Sequence, residues 1–139
     1  MKININKITK IQLFDWMFEY TNLNGIVLEI DKNSKRTNIS YSLQHDNLIS
    51  INSKWEKKSL PFVLFHELGH FEIWKRGLFK KLENDRFLSL RIEQWCDIYG
   101  EKESSKYFIN HRCYKPYYLI EGKNFIKNYN KQQLINNIK

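Results

Sequence analysis

The chain has 139 residues, 42% of them hydrophobic, which is typical of one small domain with a buried core and argues against two domains. Its 23 basic and 15 acidic side chains give a net charge of +8, and such a charge attracts acidic partners over a long range. The lysines are scattered and no DNA-binding motif accompanies them, so direct nucleic-acid binding is not expected.

The first predicted element is an N-terminal helix. Thr9 is a candidate N-cap, the helix is predicted to reach about Tyr20, and the dipeptide Asn24-Gly25 ends it. Four apolar residues are expected on one side of this helix: Ile11, Phe14, Met17 and Phe18.

Three strand-like runs come next, at 26–30, 39–43 and 48–51. Turn-forming residues separate the runs. This order predicts a three-stranded antiparallel sheet, a meander, packed against the helix that comes after it.

A second helix is predicted from about Leu60 to Arg76. Ser59 is a candidate N-cap, and Pro61 falls in the first turn, where its missing N–H costs nothing. Gly77 follows a basic last turn as a candidate C′ residue. Apolar residues occupy so many positions that burial on most sides is expected.

This helix contains the pattern His-Glu-x-x-His at residues 66–70. Positions i and i+4 share a helix face, so His66 and His70 can bind one metal ion while Glu67 is placed beside a water molecule there. The alternative is a chance occurrence on a helix that is merely amphipathic, but polar residues in so apolar a helix need a reason. The pattern therefore predicts a zinc peptidase site, with Glu67 as the general base.

A third helix is predicted to begin near Asn84 or Asp85 and to stop at Gly100. Cys96 lies within it and could touch the metal. Next to Trp95 on a buried helix, however, Cys96 is better explained as a small core residue.

Glu93 lies in the middle of the third helix, 23 residues after His70. This separation allows a loop and an antiparallel helix, so Glu93 is the candidate third zinc ligand. Asp97 lies one turn later on the same face. It can accept the second ring N–H of a zinc-bound histidine, for which His66 is the first candidate.

After Gly100 the sequence predicts a short helix to about Phe108, a loop through Pro116, a strand at 117–120 and a helical tail. The predicted fold is therefore α+β, with residues 1–139 forming a single metallopeptidase domain.

The combination of His66-Glu67-x-x-His70 with Glu93-x-x-x-Asp97 resembles the gluzincin metallopeptidases. A closer resemblance is to the ImmA/IrrE family of small metallo-endopeptidases from bacteria and mobile elements, in which a strand ending in Ile-Asn, here Ile51-Asn52, precedes the His-Glu-Leu-Gly-His helix. The resemblance implies a zincin-like fold and a protein substrate, namely a helix-turn-helix repressor encoded nearby. The Leu-x-Pro ending that often follows the second motif in that family has no clear counterpart here.

Other residues are candidates for binding the substrate and for stabilising the oxyanion. We expect the strand ending at Ile51-Asn52 to be an edge strand that pairs with an extended substrate. Three residues are candidates for stabilising the oxyanion: His111, Tyr107 and Tyr114. His45, in a turn, is given no role.

Cys96 and Cys113 do not form a disulfide framework, and no signal peptide or membrane-spanning run is visible. We therefore expect a cytoplasmic, monomeric protein. Three functions remain open: an active zinc endopeptidase, a regulatory or toxin-like protein that binds its partner through a zincin fold, and a small protease of broad specificity. The presence of Glu67 favours the first over the second, and the missing signal peptide argues against the third.

Overall fold

The computed structural model describes residues 1–33, 40–75 and 86–113, with the backbone alone for 86–90. The helices and strands are β1 (Ile3–Asn4), α1 (Lys10–Leu23), β2 (Val27–Asp31), β3 (Ser40–Leu43), β4 (Leu48–Asn52), α2 (Leu60–Lys75), α3 (Arg86–Tyr107) and β5 (Phe108–Ile109). The predicted α+β class is confirmed. The predicted strand at 117–120, the helical tail, the caps at Asn84, Asp85 and Gly77, and Tyr114 lie outside the described residues.

Helix α1 begins after Thr9, the predicted N-cap, and ends before Asn24-Gly25, the predicted ending signal. The hydroxyl of Thr9 accepts a hydrogen bond from the backbone N–H of Gln12, and the side chain of Gln12 accepts one from the backbone N–H of Thr9. At the other end, Gly25 adopts a φ of +71°, a conformation that favours glycine. The helix extends three residues beyond the predicted Tyr20.

The buried face of α1 differs from the predicted one. Leu13, Met17 and Thr21 are buried, whereas Ile11 is 72% exposed and Phe18 is 41% exposed. The prediction was wrong for Ile11 and Phe18 because apolar residues occupy more than one side of this helix. Packing, and not composition, therefore selects the side that meets the core.

The three-stranded sheet is mixed, and the prediction of a purely antiparallel meander was wrong. Its order is β2-β4-β3. Strand β4 pairs with β2 in parallel and with β3 in antiparallel orientation. The burial of the strands agrees with this order. In β4 every residue from Ile49 to Asn52 is buried, whereas β3 alternates between half-buried and exposed residues. The most buried strand takes the centre, where it has a neighbour on each side.

Helix α2 runs through the interior of the molecule. Leu64, Phe65 and Ile73 are completely buried, and Phe62 and Phe71 are nearly so. This agrees with the predicted burial on most sides.

The chain enters α2 through a 3-10 turn. Ser59, predicted as the N-cap, is the last residue of the turn Lys57–Ser59, which leads directly into Leu60. Pro61 lies in the first turn of α2, as predicted.

Helix α3 does not stop at Gly100, as predicted, but continues to Tyr107. Gly100 is not a C′ residue, since Gly25 alone among the described glycines has a positive φ. Instead, Gly100 packs against α2: a Cβ atom there would lie 3.0 Å from the backbone nitrogen of His66. The glycine therefore permits close helix packing, and the helix predicted after it is the last part of α3.

The last described strand, β5, pairs in parallel with β1, with Ile3 opposite Phe108. This pairing joins the N-terminal segment to the end of α3. Beside it, Trp16, Tyr20, Phe65 and Tyr107 form an aromatic cluster in which the rings of Phe65 and Tyr107 stack at 5.6 Å. Among the helices of the described ranges, none combines the length and apolar character needed to cross a membrane.

Candidate metal centre

Helix α2 presents the two histidines of the motif on one face. The ring centroids of His66 and His70 are 5.2 Å apart, as the i and i+4 spacing requires. One ligand atom from each histidine and one carboxylate oxygen of Glu67 all lie within 4.8 Å of one another. These three residues form a group that could hold a metal ion.

Helix α3 adds a carboxylate to this group. Glu93 Oε2 is 3.0 Å from Nε2 of His66, and Glu93 Oε1 is 3.3 Å from Nε2 of His70. The side chain of Glu93 is 34% exposed, so solvent reaches the group from this side. The structure thus brings Glu93 to the two histidines, the position expected of a third ligand.

Asp97 lies on the opposite side of the His66 ring. The Nδ1–H of His66 donates to Asp97 Oδ1 at 2.6 Å, and Asp97 is buried. This bond fixes the ring orientation and leaves Nε2 facing Glu93 and His70. The contact expected from the spacing of Glu93 and Asp97 is therefore present.

The pKa of His66 reflects these contacts. Burial lowers it, but the hydrogen bonds to Asp97 and Glu93 outweigh burial and raise the pKa to about 10. In the absence of a metal, His66 would therefore be an imidazolium at neutral pH. A metal ion would have to displace the proton on Nε2, which couples metal binding to proton release.

The two glutamates of the site differ in their electrostatics. Burial alone would raise the pKa of Glu93, but hydrogen bonds to His66 and His70 hold it well below its usual range. For Glu67 burial dominates and raises the pKa, despite the nearby histidines. Glu67 is 4% exposed, and its Oε2 has no hydrogen-bond partner among the described residues. A buried carboxylate oxygen without a partner is costly unless something binds it.

These donors fit a metal ion such as zinc. Imidazole and carboxylate are ligand types that zinc accepts, whereas calcium and magnesium prefer oxygen ligands alone. Both carboxylates are near enough to complete the set: Glu67 belongs to the compact group on α2, and Glu93 contacts both histidines from α3.

Close packing of α2 and α3 brings the two halves of the site together. A Cβ at Gly69 would lie 3.2 Å from Cα and Sγ of Cys96, and a Cβ at Gly100 would lie 3.1 Å from the backbone oxygen of Phe62. Since early residues of α2 meet late residues of α3, the helices are antiparallel. Gly100 was not predicted to contribute to the site. An isolated glycine within an apolar helical pattern was the available signal.

Cys96 is a core residue and not part of the donor group. It is completely buried, with Sγ against Gly69. Burial, and next the charge of Glu93, raise its pKa well above the usual value, so the thiol is neutral.

Two predicted oxyanion candidates make their contacts outside the donor group. His111 Nε2 lies 3.0 Å from Oγ of Ser104, which is two helical turns, or about 10 Å, beyond Asp97 on α3. Tyr107 stacks within the aromatic cluster. His45, which was given no role, contacts the ring of Trp74 edge-on at 5.6 Å.

The strand ending at Ile51-Asn52 is not an edge strand, contrary to the prediction. It is β4, which has hydrogen-bonded neighbours on both sides. Its backbone groups are already paired, so a substrate cannot add to it.

No family model matches the chain, and neither the curated proteins nor the solved structures provide a match. The resemblance to the ImmA/IrrE family consequently stays a prediction from the motifs.

Proposed function

We propose that the protein is a zinc-dependent endopeptidase in which His66, His70 and Glu93 bind zinc and Glu67 is the general base. One observation carries the proposal, the different positions of the two glutamates. Glu93 contacts Nε2 of both histidines, while Glu67 is buried beside them with an unpartnered oxygen among the described residues. A zinc site with a purely structural role has no use for such a base.

Zinc, when bound, would polarise the substrate carbonyl and lower the pKa of a water molecule to about 7. Glu67 would accept the proton of the attacking water and transfer it to the leaving amine. The pKa of Glu67, raised by burial, suits a group that must hold the proton between these two steps. Asp97, through its bond to Nδ1, would keep His66 in the orientation that directs Nε2 to the metal.

An extended substrate segment would pair with β3. Strands β2 and β3 are the outer strands of the described sheet. Of the two, β3 is followed by His45, which contacts Trp74 on α2, one turn after His70. This contact places the end of β3 beside the helix that carries the histidines, so β3 replaces β4 as the candidate substrate strand.

The resemblance to the ImmA/IrrE family suggests the substrate class, a helix-turn-helix repressor or a similar DNA-binding regulator encoded nearby. Zinc sites of this kind read an extended segment with little sequence discrimination, so selectivity would come from docking surfaces outside the site. The alternative is a regulatory or toxin-like protein that binds its partner without cutting it.

Glu67→Gln tests the proposal, with Glu72→Gln as the matched control. We expect Glu67→Gln to keep about one zinc per chain and to cleave the regulator about 100- to 10,000-fold more slowly than the wild type, because the base is lost and the ligands remain. Glu72, a half-buried residue of α2 near Lys75, lies outside the donor group and should be replaceable without effect. Zinc would be measured by mass spectrometry of the metal, and cleavage by mapping the fragments. Full cleavage by Glu67→Gln would contradict the role of Glu67.

Digestion of casein, a general protease substrate, distinguishes the proposed endopeptidase from a protease of broad specificity. Because docking would set selectivity, we expect one discrete cut in the neighbouring regulator and little degradation of casein. Broad degradation of casein would favour a protease of broad specificity. Tight binding of the regulator without a cut would favour the regulatory alternative.

A further inference from the structure

Three segments that are distant along the sequence and rich in basic side chains contact one another in the fold. Five of these side chains are exposed: Lys2, Lys7, Lys54, Lys58 and Arg112. We call the segments 2–10, 53–58 and 110–112 together the basic face. In the sequence these residues lie far apart, which is why their grouping is not visible there.

Backbone and side-chain hydrogen bonds hold the three segments together. The ammonium group of Lys57 donates to the carbonyl of Ile8 at 2.9 Å, and that of Lys10 donates to the carbonyl of Ser53. The backbone N–H of Arg112 donates to the carbonyl of Lys58 at 2.8 Å. The basic face is thus a fixed feature of the fold.

Charge is strongly separated between the basic face and the rest of the described residues. The basic face contains seven Lys and Arg residues and one acidic residue, Glu56. The other described residues contain six Lys and Arg residues and eleven Asp and Glu residues. Glu56 is paired with Arg112 at 3.1 Å. Burial, and then the positive charge of Lys2, lower the pKa of His111 at the edge of this face. The other described residues are acidic on balance, although the chain as a whole is rich in lysine. A lysine-rich composition alone therefore does not explain why positive charge is concentrated on the basic face.

A partner for this face must be uniformly negative. The phosphate backbone of nucleic acid has this property. Proteins that bind single strands combine basic grooves with aromatic rings on which bases stack. The aromatic residue of these segments, Trp55, packs against the hydrophobic core. Double-stranded nucleic acid, which hides its bases and presents phosphates, fits better.

We propose that the basic face binds the phosphate backbone of double-stranded DNA without reading the base sequence. This inference does not depend on the proposed peptidase activity, because the face shares no residue with the metal centre. Binding of this kind would concentrate the protein on DNA.

The test is fluorescence anisotropy with a labelled duplex of about 20 base pairs and the full chain. With about four to five phosphate contacts, the plot of log K against log salt should have a slope of about −4, which weakens binding about 200-fold between about 50 mM and about 200 mM salt. Lys54→Glu combined with Lys58→Glu should reduce the magnitude of the slope by about two and weaken binding by at least about 10-fold.

The matched control combines Lys75→Glu with Lys102→Glu, two exposed residues outside the basic face. It makes the same change in net charge and should bind as the wild type does. Glu67→Gln should also bind normally, which separates this proposal from the peptidase. Melting temperatures would verify that each variant is folded.

Four results would overturn the proposal. They are no duplex binding at low salt, equal weakening by both lysine pairs, equal or tighter binding of the single strand, and displacement of the duplex by polyglutamate at equal charge concentration. The last result would instead assign the face to an acidic protein.

Discussion

Helices α1 and α2 are both rich in apolar residues, yet they are buried to very different degrees. In α1 one side meets the core, and Ile11 and Phe18 remain exposed. In α2 nearly every residue before Trp74 is buried, including Glu67 and His70. A polar residue on α1 can remain in water, but one on α2 must find a partner inside the protein. Polar residues are therefore informative about function where the helix around them is buried on most sides.

The largest expected effect is on metal content. His70→Ala removes an imidazole that faces Glu93, so we expect the protein to lose most of its zinc, from about one per chain. His45→Ala is the control, because His45 contacts Trp74 and not the donor group. Zinc content unchanged in His70→Ala would show that α2 is not a metal-binding helix.

The next largest effect is on stability, and it should differ between the buried and the exposed side of α1. Leu13→Ala should lower the free energy of unfolding by about 2–5 kcal/mol, because it leaves a cavity at a completely buried position. Ile11→Ala, on the exposed side, should change it by about 0.5 kcal/mol or less. Urea denaturation measures both. Similar losses for the two variants would mean that Ile11 is covered in solution.

Gly100→Ala tests the burial of α2 from the side of α3. The added methyl group would contact the backbone of His66 and Phe62, neither of which can rotate away. We expect a loss of about 1–3 kcal/mol in stability together with weaker zinc affinity, because α3 carries Glu93 and Asp97. Stability would be followed in denaturant and affinity by competition with a chelator. An increase in stability, as a better helix former would give on an exposed site, would exclude the close contact.

The last prediction concerns Asp97→Ala, whose expected effect is confined to the metal site. The protein should remain folded with weaker zinc affinity, by about 10- to 100-fold, because His66 would lose the bond that orients its ring. Competition with a chelator at constant pH measures the change. An affinity equal to the wild type would show that the 2.6 Å contact has no influence on the metal.

Elements with local signals could be predicted from the sequence alone. Thr9, Gln12 and Gly25 fix the ends of α1 through hydrogen bonds to neighbouring backbone groups and through backbone conformation. The spacing of His66 and His70 places both imidazoles on one face of any helix, and Glu67, three residues before His70, is a neighbour of His70 on that helix. The four-residue spacing of Glu93 and Asp97 likewise places both carboxylates on one face of α3.

Contacts between segments that are distant along the chain could be seen in the tertiary structure alone. Strand β4 is central and is the most buried strand of the sheet, but no local pattern distinguishes a parallel partner from an antiparallel one. Glycine is a residue type that often follows a helix end, but Gly100 lies inside α3 and permits close contact with α2. The basic face depends likewise on three segments that are distant along the chain. Spacing fixes which residues lie on one helix face or in one turn, whereas contacts between distant segments depend on how the whole core packs.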